Sequence, residues 1–321
     1  MKYPTDVHSG YWKELQISLV DFNDANNFMF SSDIKEKTKK LGLWDGKEEF
    51  RFWKIISDSK PFSVREFFVF STLAPSLNLK FDSQELPFSV KPDKKVSVRD
   101  VIALYRQTYE GTEWDQTKNL SVEVTRRDKI KGEYKESIKP ISNFMSNDMR
   151  SLLNNIKPNV SERVRGIAVI QCSYSHIIQL RDWLPDEVGG IAYFSFDNPA
   201  QTPRIPIYSG TLYLPKSFAV CGQHRYREDA AIWSFRETNR IATIYWDKTR
   251  VLLEPQIKEF EDLLFDMAPA IEAKATKMIK EGKNEEARLL LTNHTNNFAS
   301  LTMKRWLELK AELWTIFARS M

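Results

Sequence analysis

Hydrophobic and polar positions divide the chain into three stretches. In the first, Ser31-Ser32-Asp33 reads as a helix start and Gly42 as its stop, which predicts a short helix over residues 33–41. Aromatic and aliphatic residues then crowd 48–57 and 64–72, including Phe50, Phe52, Trp53, Phe67, Phe68 and Phe70; packing in a core or an interface accounts for that density. After the polar break at 91–95, Ser97 caps a second helix with Val98, Val101, Ile102 and Tyr105 at helical spacing, ending near Tyr109. Residues 119–141, rich in Lys, Arg and Glu, read as exposed strand and loop.

The second stretch changes period. Val164, Ile167, Ala168, Val169 and Ile170 predict a buried strand, and further strands follow at 177–180, 191–196 and 204–208, with Pro206 marking an edge or bulge. Beyond Arg225 the pattern is helical over 230–245, 257–281 and 284–320, with breaks expected at Pro255, Pro269 and Gly282. On the last helix Phe298, Leu301, Leu309, Leu313 and Phe317 mark an apolar face. The expectation is an α+β fold forming a single domain over 1–321. Within it, 1–110 is mostly helical with aromatic-rich segments, 111–222 forms sheet and 223–321 is helical.

Composition narrows the function classes. A chain of 321 residues with 42% hydrophobic and 28% charged residues is an ordinary globular polypeptide, which excludes a disulfide-stapled miniprotein and a collagen-like or wholly disordered chain. The net charge of +4 is small and evenly spread, so no nucleic-acid partner is expected. Neither an export signal over residues 1–8 nor an apolar run long enough to span a membrane is present, so a soluble chain with no membrane partner is expected. The compartment is left open.

Candidate chemistry is sparse. Cys172 and Cys221 form no disulfide framework, and with His8, His176, His224 and His294 scattered, no metal site is expected. No glycine-rich nucleotide motif occurs, so no cofactor is expected either. Strand alternation can place Cys172 and His176 on one face as a nucleophile and base, although a lone buried thiol is usually structural. Tyr208-Ser209-Gly210 lacks the first glycine of a serine-hydrolase elbow and reads as a turn. The string Tyr109-Glu110-Gly111-Thr112-Glu113-Trp114-Asp115 gathers acids, a turn and aromatics just after a helix, either as the mouth of a binding loop or as a helix C-cap with solvated acids. Arg181, just after a strand, is placed to hold a carboxylate or to pair with Asp182.

Four strings in register resemble one family. They are Lys91-Pro92-Asp93 with Ser97-Val98-Arg99-Asp100-Val101; Tyr109-Glu110-Gly111-Thr112 with Asp115; Gln179-Leu180-Arg181-Asp182-Trp183-Leu184-Pro185 with Gly189-Gly190; and Ile205-Pro206-Ile207-Tyr208-Ser209-Gly210. Together, from about Asn23 to the C-terminus, they resemble the C-terminal portion of the cysteine-type dipeptidases. Those enzymes belong to the N-terminal-nucleophile (Ntn) hydrolases and are related to penicillin V acylase. The resemblance implies a partial αββα sandwich with mainly antiparallel central strands. It also implies hydrolysis of dipeptides by an N-terminal cysteine whose α-amino group is the general base.

Neither Cys172 nor Cys221 is N-terminal, so no catalytic residue is expected in this chain, which alone should not turn over a dipeptide. The substrate-binding candidates are Arg181 for a carboxylate or oxyanion, Glu110 or Asp115 for the free amine, and Thr112 beside them. Two departures from the family pattern are Ser161 where asparagine is expected before Glu162-Arg163, and the scarcity of glycine and proline over 120–143. The expected partners are a dipeptide and either the absent N-terminal half or a second copy. The alternative is a non-catalytic, truncated paralogue acting as an interaction protein.

Overall fold

The computed structural model describes residues 28–52, 62–83, 85–87 and 89–320, with isolated positions before and between them. The chain forms two compact units, 1–97 and 98–321.

In the first unit, β1 (Trp12–Lys13) pairs antiparallel with β2 (Ser89–Val90). The helix expected at 33–41 is α1 (Ile34–Lys40). Helix α2 (Val64–Leu73) begins at a capping box between Ser63 and Glu66 and buries Phe67, Phe70 and Leu73. The aromatic residues pack on one another edge to face: Phe81 meets Phe62 and Phe67 with centroids 5.8 and 5.4 Å apart, and Phe50 meets Trp44 at 5.0 Å. Trp53, within the same crowded stretch, lies outside the described residues.

The second unit opens with α3 (Val98–Tyr105), which stops four residues before the expected end. The charged stretch forms an exposed antiparallel hairpin of β3 (Val122–Asp128) and β4 (Gly132–Ile138). An unanticipated helix follows, α4 (Asn147–Ile156), whose cap Ser146 accepts a hydrogen bond from the Met149 amide at 3.1 Å. The strand expected over 164–170 is irregular backbone instead. It is anchored by the Ala168 amide, which donates to the Gln107 carbonyl at 3.0 Å, and by Arg240, which donates to the Ile170 carbonyl; a Cβ at Gly166 would stand 3.0 Å from the Ala168 carbonyl oxygen. Branched apolar residues favour extended backbone, but a strand needs a neighbouring strand to take its hydrogen bonds.

The remaining expected strands form one antiparallel sheet, β5 (Tyr174–Leu180), β6 (Gly190–Phe196) and β7 (Ile205–Tyr208), with β6 central. A short helix, α5 (Asp186–Gly189), joins β5 to β6. Its Gly189 is required by close approach, because a Cβ there would stand 2.6 Å from the Arg181 carbonyl oxygen.

Three long helices complete the unit: α6 (Ala231–Ile244), α7 (Trp246–Lys280) and α8 (Asn284–Ser320). Helix α7 runs through Pro255 and Pro269 rather than breaking at them. An interior proline costs about 3 kcal/mol, and burial of Leu253, Ile257, Phe260 and Leu264 in the core offsets it. The same core holds Ile191, Tyr193 and Tyr208 from the sheet, Phe235 from α6, and Leu291, Phe298, Trp306, Leu309 and Leu313 from α8. Leu301, expected on the apolar face of α8, is 50% exposed; Ala299 and Thr302 are buried beside Phe298 instead. The other face of the sheet exposes Tyr174, Ile178 and Leu180. The fold is therefore α+β with antiparallel sheets and a helical C-terminal region, and no helix among the described residues is long and apolar enough to cross a membrane.

Candidate functional site

The loop after α3 is held in shape from within. Tyr109 and Gly111 both have positive φ, 63° and 79°, which turns the chain sharply back on itself. Asp115, 2% exposed, secures that turn by accepting from the Gly111 amide (3.1 Å), the Thr117 amide (2.8 Å), the Thr117 hydroxyl (2.7 Å) and Lys139 (3.0 Å). Burial pushes the Asp115 carboxyl upward, but these donors outweigh it and hold the group below its usual range. Thr112 donates to the Tyr109 carbonyl at 2.7 Å and accepts from the Trp114 amide. Thr112 thus spends its hydrogen-bonding capacity on the loop itself, and Asp115 spends its own on the loop and on Lys139.

This loop borders a cleft made of two adjoining cavities that share Thr108, Asn143 and Phe144. The larger, about 480 Å³, lies between the loop, the N-terminus of α4 and the irregular segment 163–171. Arg150, Arg163 and Arg165 line it with Gln116 and Asn143, and no carboxylate among the described residues does. The smaller, about 320 Å³, runs along α7 and is lined by both signs of charge. Its arginines are paired: Arg106 forks onto Glu261, and Arg250 bonds Glu110 and Glu254, each at 2.8 Å. Glu110 is the one predicted substrate-binding residue that lines the cleft, and Arg250 already holds it.

Arg181 stands elsewhere. It bonds Glu272 at 2.7 Å and the carbonyls of Val188 and Gly189, and Glu272 also accepts from Tyr208 at 3.1 Å, which pins β5, α5 and β7 to α7. Its partner is Glu272, not the neighbouring Asp182. Burial, then the Glu272 charge, drives the Tyr208 phenol upward. Glu110 and Arg181 are held by Arg250 and Glu272, which stand about six turns apart on one helix, or roughly 30 Å by helical rise. An extended dipeptide spans about 7 Å, so the structure does not bring these two charges to one ligand.

Two further polar centres escaped the sequence reading. At the end of β6, Asp197 adopts φ 56° and is fully buried. It accepts from Arg236 (2.9 Å), Asn239 (2.9 Å) and Arg240 (3.4 Å), and Asn239 continues to Thr202 and Trp306. Beside it Arg204, also fully buried, donates to the Ser175 carbonyl and hydroxyl and lies over the Tyr105 ring; burial lowers its pKa to about 10. The usable signal for this hub was the run of polar residues Asp197, Asn198, Gln201, Thr202 and Arg204 between two apolar strands, all of them buried here.

Cys172 is not on the strand. It sits before β5, its thiol donates to the Tyr174 carbonyl at 3.1 Å, and burial together with the Asp197 charge pushes that thiol up. A raised thiol holds little thiolate, the nucleophilic form. His176 stacks on Tyr174 instead of meeting the sulfur through a hydrogen bond. Ser161, the departure from the family pattern, is buried and donates to the Gln116 carbonyl at 2.9 Å, which supports the loop beneath the larger cavity. No cluster of metal-ligating side chains occurs among the described residues.

Comparison with known proteins gives this geometry a family. The family model described as peptidase family C69 matches residues 1–259. A "Probable dipeptidase B" of Streptococcus pyogenes serotype M1 is 23% identical over 300 residues, covering 87% of this chain and 54% of the relative. A "Probable dipeptidase" of Latilactobacillus sakei is 25% identical over 213 residues, 65% of this chain and 37% of the relative. "Dipeptidase A" of Lactobacillus helveticus is 20% identical over 222 residues, 68% of this chain and 40% of the relative. The chain spans about half or less of the length of these relatives.

Proposed function

Because the chain belongs to peptidase family C69, we propose that it is the substrate-binding portion of a cysteine-type dipeptidase and that dipeptides bind in the cleft beside the loop 109–117. The observation that carries this reading is the family match over 1–259, and the dipeptidase names of the relatives agree with it. The cleft supports it in kind: a concave site with convergent polar groups and apolar walls from Phe144 and Trp246 suits a small zwitterion. On this reading the nucleophile is not one of the chain's own cysteines, since Cys172 is hydrogen-bonded with a raised pKa and Cys221 lines neither cavity of the cleft. The sheet face that exposes Tyr174, Ile178 and Leu180 favours a second layer, as in an Ntn sandwich, supplied by the half of the enzyme that carries the nucleophile.

The test is dipeptide hydrolysis and dipeptide binding by the purified chain. We expect binding without turnover. Turnover that disappears in Cys172→Ala would overturn the placement of the nucleophile, and absence of any dipeptide binding would overturn the assignment of the cleft. The same exposed face also favours a second reading, self-association of a non-catalytic chain, which size-exclusion chromatography would reveal as a dimer that does not bind dipeptides.

A further inference from the structure

The charged hairpin carries an edge that the fold leaves open. Among the described residues β3 and β4 pair only with each other, and β4 is exposed at every position from Gly132 to Ser137, whereas Val124 and Arg126 on β3 are half-buried. A two-stranded ribbon is marginal by itself in water, and its outer strand presents a row of backbone N–H and C=O groups that a further strand completes. Within the ribbon Arg126 bonds Glu136 (3.1 Å), Arg127 bonds Glu133 (3.2 Å) and Lys135 lies 3.8 Å from Glu123. None of residues 122–138 lines either cavity of the cleft, so this edge is separate from the dipeptide-binding surface.

The order of charges along β4 selects the strand that fits. Alternation puts Lys131, Glu133, Lys135 and Ser137 on one face and Gly132, Tyr134, Glu136 and Ile138 on the other. Lysine on an edge normally keeps a second copy of that edge away. A second β4 running antiparallel about a two-fold axis through Tyr134 escapes the repulsion. In that register Glu133 faces Lys135 of the second copy, Lys135 faces its Glu133, Lys131 faces its Ser137, and the two Tyr134 rings meet on the other face. An axis through Glu133, Lys135 or Glu136 instead sets like charges against each other. A two-fold contact must be self-complementary, and β4 is so in this register. We propose that β4 is a homodimerisation edge, which joins two copies of the chain into a four-stranded antiparallel sheet centred on Tyr134. On each side of the axis the charges then alternate in sign, from Arg127 to Glu133 to Lys135 of the second copy and on to its Glu123. A network of several charges contributes where an isolated surface pair contributes little. All four groups are exposed, so added salt weakens the contact.

The test is sedimentation velocity of the full chain across a range of concentrations. We expect a concentration-dependent dimer whose dissociation constant rises about tenfold or more in Lys135→Glu and in Glu133→Lys, because each change creates two like-charge pairs across the axis. An equimolar mixture of the two variants should recover dimers, since the acidic edge of one then faces the basic edge of the other. The double variant Glu133→Lys/Lys135→Glu, which exchanges the charges, should dimerise as the unaltered chain does. A hairpin merely unfolded by the single changes would recover nothing on mixing, so recovery reports the register itself. A chain that stays monomeric overturns the proposal. So does a dimer that both single variants retain, which would move the contact to another surface such as the sheet face bearing Tyr174 and Ile178, and so does a dimer lost in the variants and not regained on mixing. Dipeptide binding measured on the same samples should be equal in all of them, which keeps the outcome independent of the cleft.

Discussion

Arginine is gathered twice around the sheet of the second unit, with opposite outcomes. At the end of β6, Arg236 and Arg240 close on a single buried carboxylate, Asp197, whose remaining capacity is taken up by Asn239. At the start of α4, Arg150, Arg163 and Arg165 share a cavity with no carboxylate among its described lining residues. The first cluster is complete within the chain and joins the end of β6 to α6. In the second, Arg150 is held by the neutral side chains of Asn147 and Gln116, and Arg163 and Arg165 are exposed. An arginine that finds its anion inside the fold ties the elements it bridges together. Arg181 falls on the architectural side, since Glu272 and two carbonyls satisfy it.

Removing the carboxylate from the complete cluster should have the largest effect. Asp197→Asn leaves two cations facing each other in a buried site, and we expect a loss of about 3–5 kcal/mol in urea unfolding. A loss below about 1 kcal/mol would show that the hub is not a structural unit, and the contrast between the clusters would collapse. Asp115→Asn comes next, with an expected loss of about 2–3 kcal/mol at neutral pH because four donors point at that carboxylate. The sign follows from its lowered pKa: the stabilisation is present above the unfolded value near 3.8 and is lost as pH falls through the folded value. The variant should therefore flatten the acid limb of the stability profile.

The smallest expected effect belongs to His294, a buried group with no ion-pair partner among the described residues. Its Nε2 has no partner among the described residues, Tyr208 and Phe298 lie against its ring, and burial lowers its pKa below 6.5 despite Glu272. The unfolded chain then takes up the proton first, so stability falls as pH drops below about 6.5. His294→Phe should remove that slope without changing stability at pH 8. A slope that persisted would assign it to another group.

Much of the fold was readable along the chain. The helices at 33–41, 230–245 and 284–320, the exposed hairpin region and the last three strands follow from period, caps and turn residues, all of which are local. The misreadings share one cause. Pro255 and Pro269 break helices locally, yet burial of the α7 face holds one helix through both. Val164 to Ile170 favour a strand locally, yet no strand among the described residues pairs with them. In the site, Glu110 was legible as a loop-mouth acid and does line the cleft, whereas Arg150 was not, because nothing in its surroundings along the chain distinguishes it from a surface arginine on an amphipathic helix.

The sequence by itself determined the α+β class, the helical C-terminal region and the resemblance to the dipeptidases, because hydrophobic period and motif order are properties of neighbours along the chain. Only the tertiary structure decided which charges are paired. Glu272 lies 91 residues from Arg181 and Arg250 lies 140 from Glu110, so whether each charge meets a partner inside the fold or waits for a ligand is set by distances in space that no spacing along the chain records.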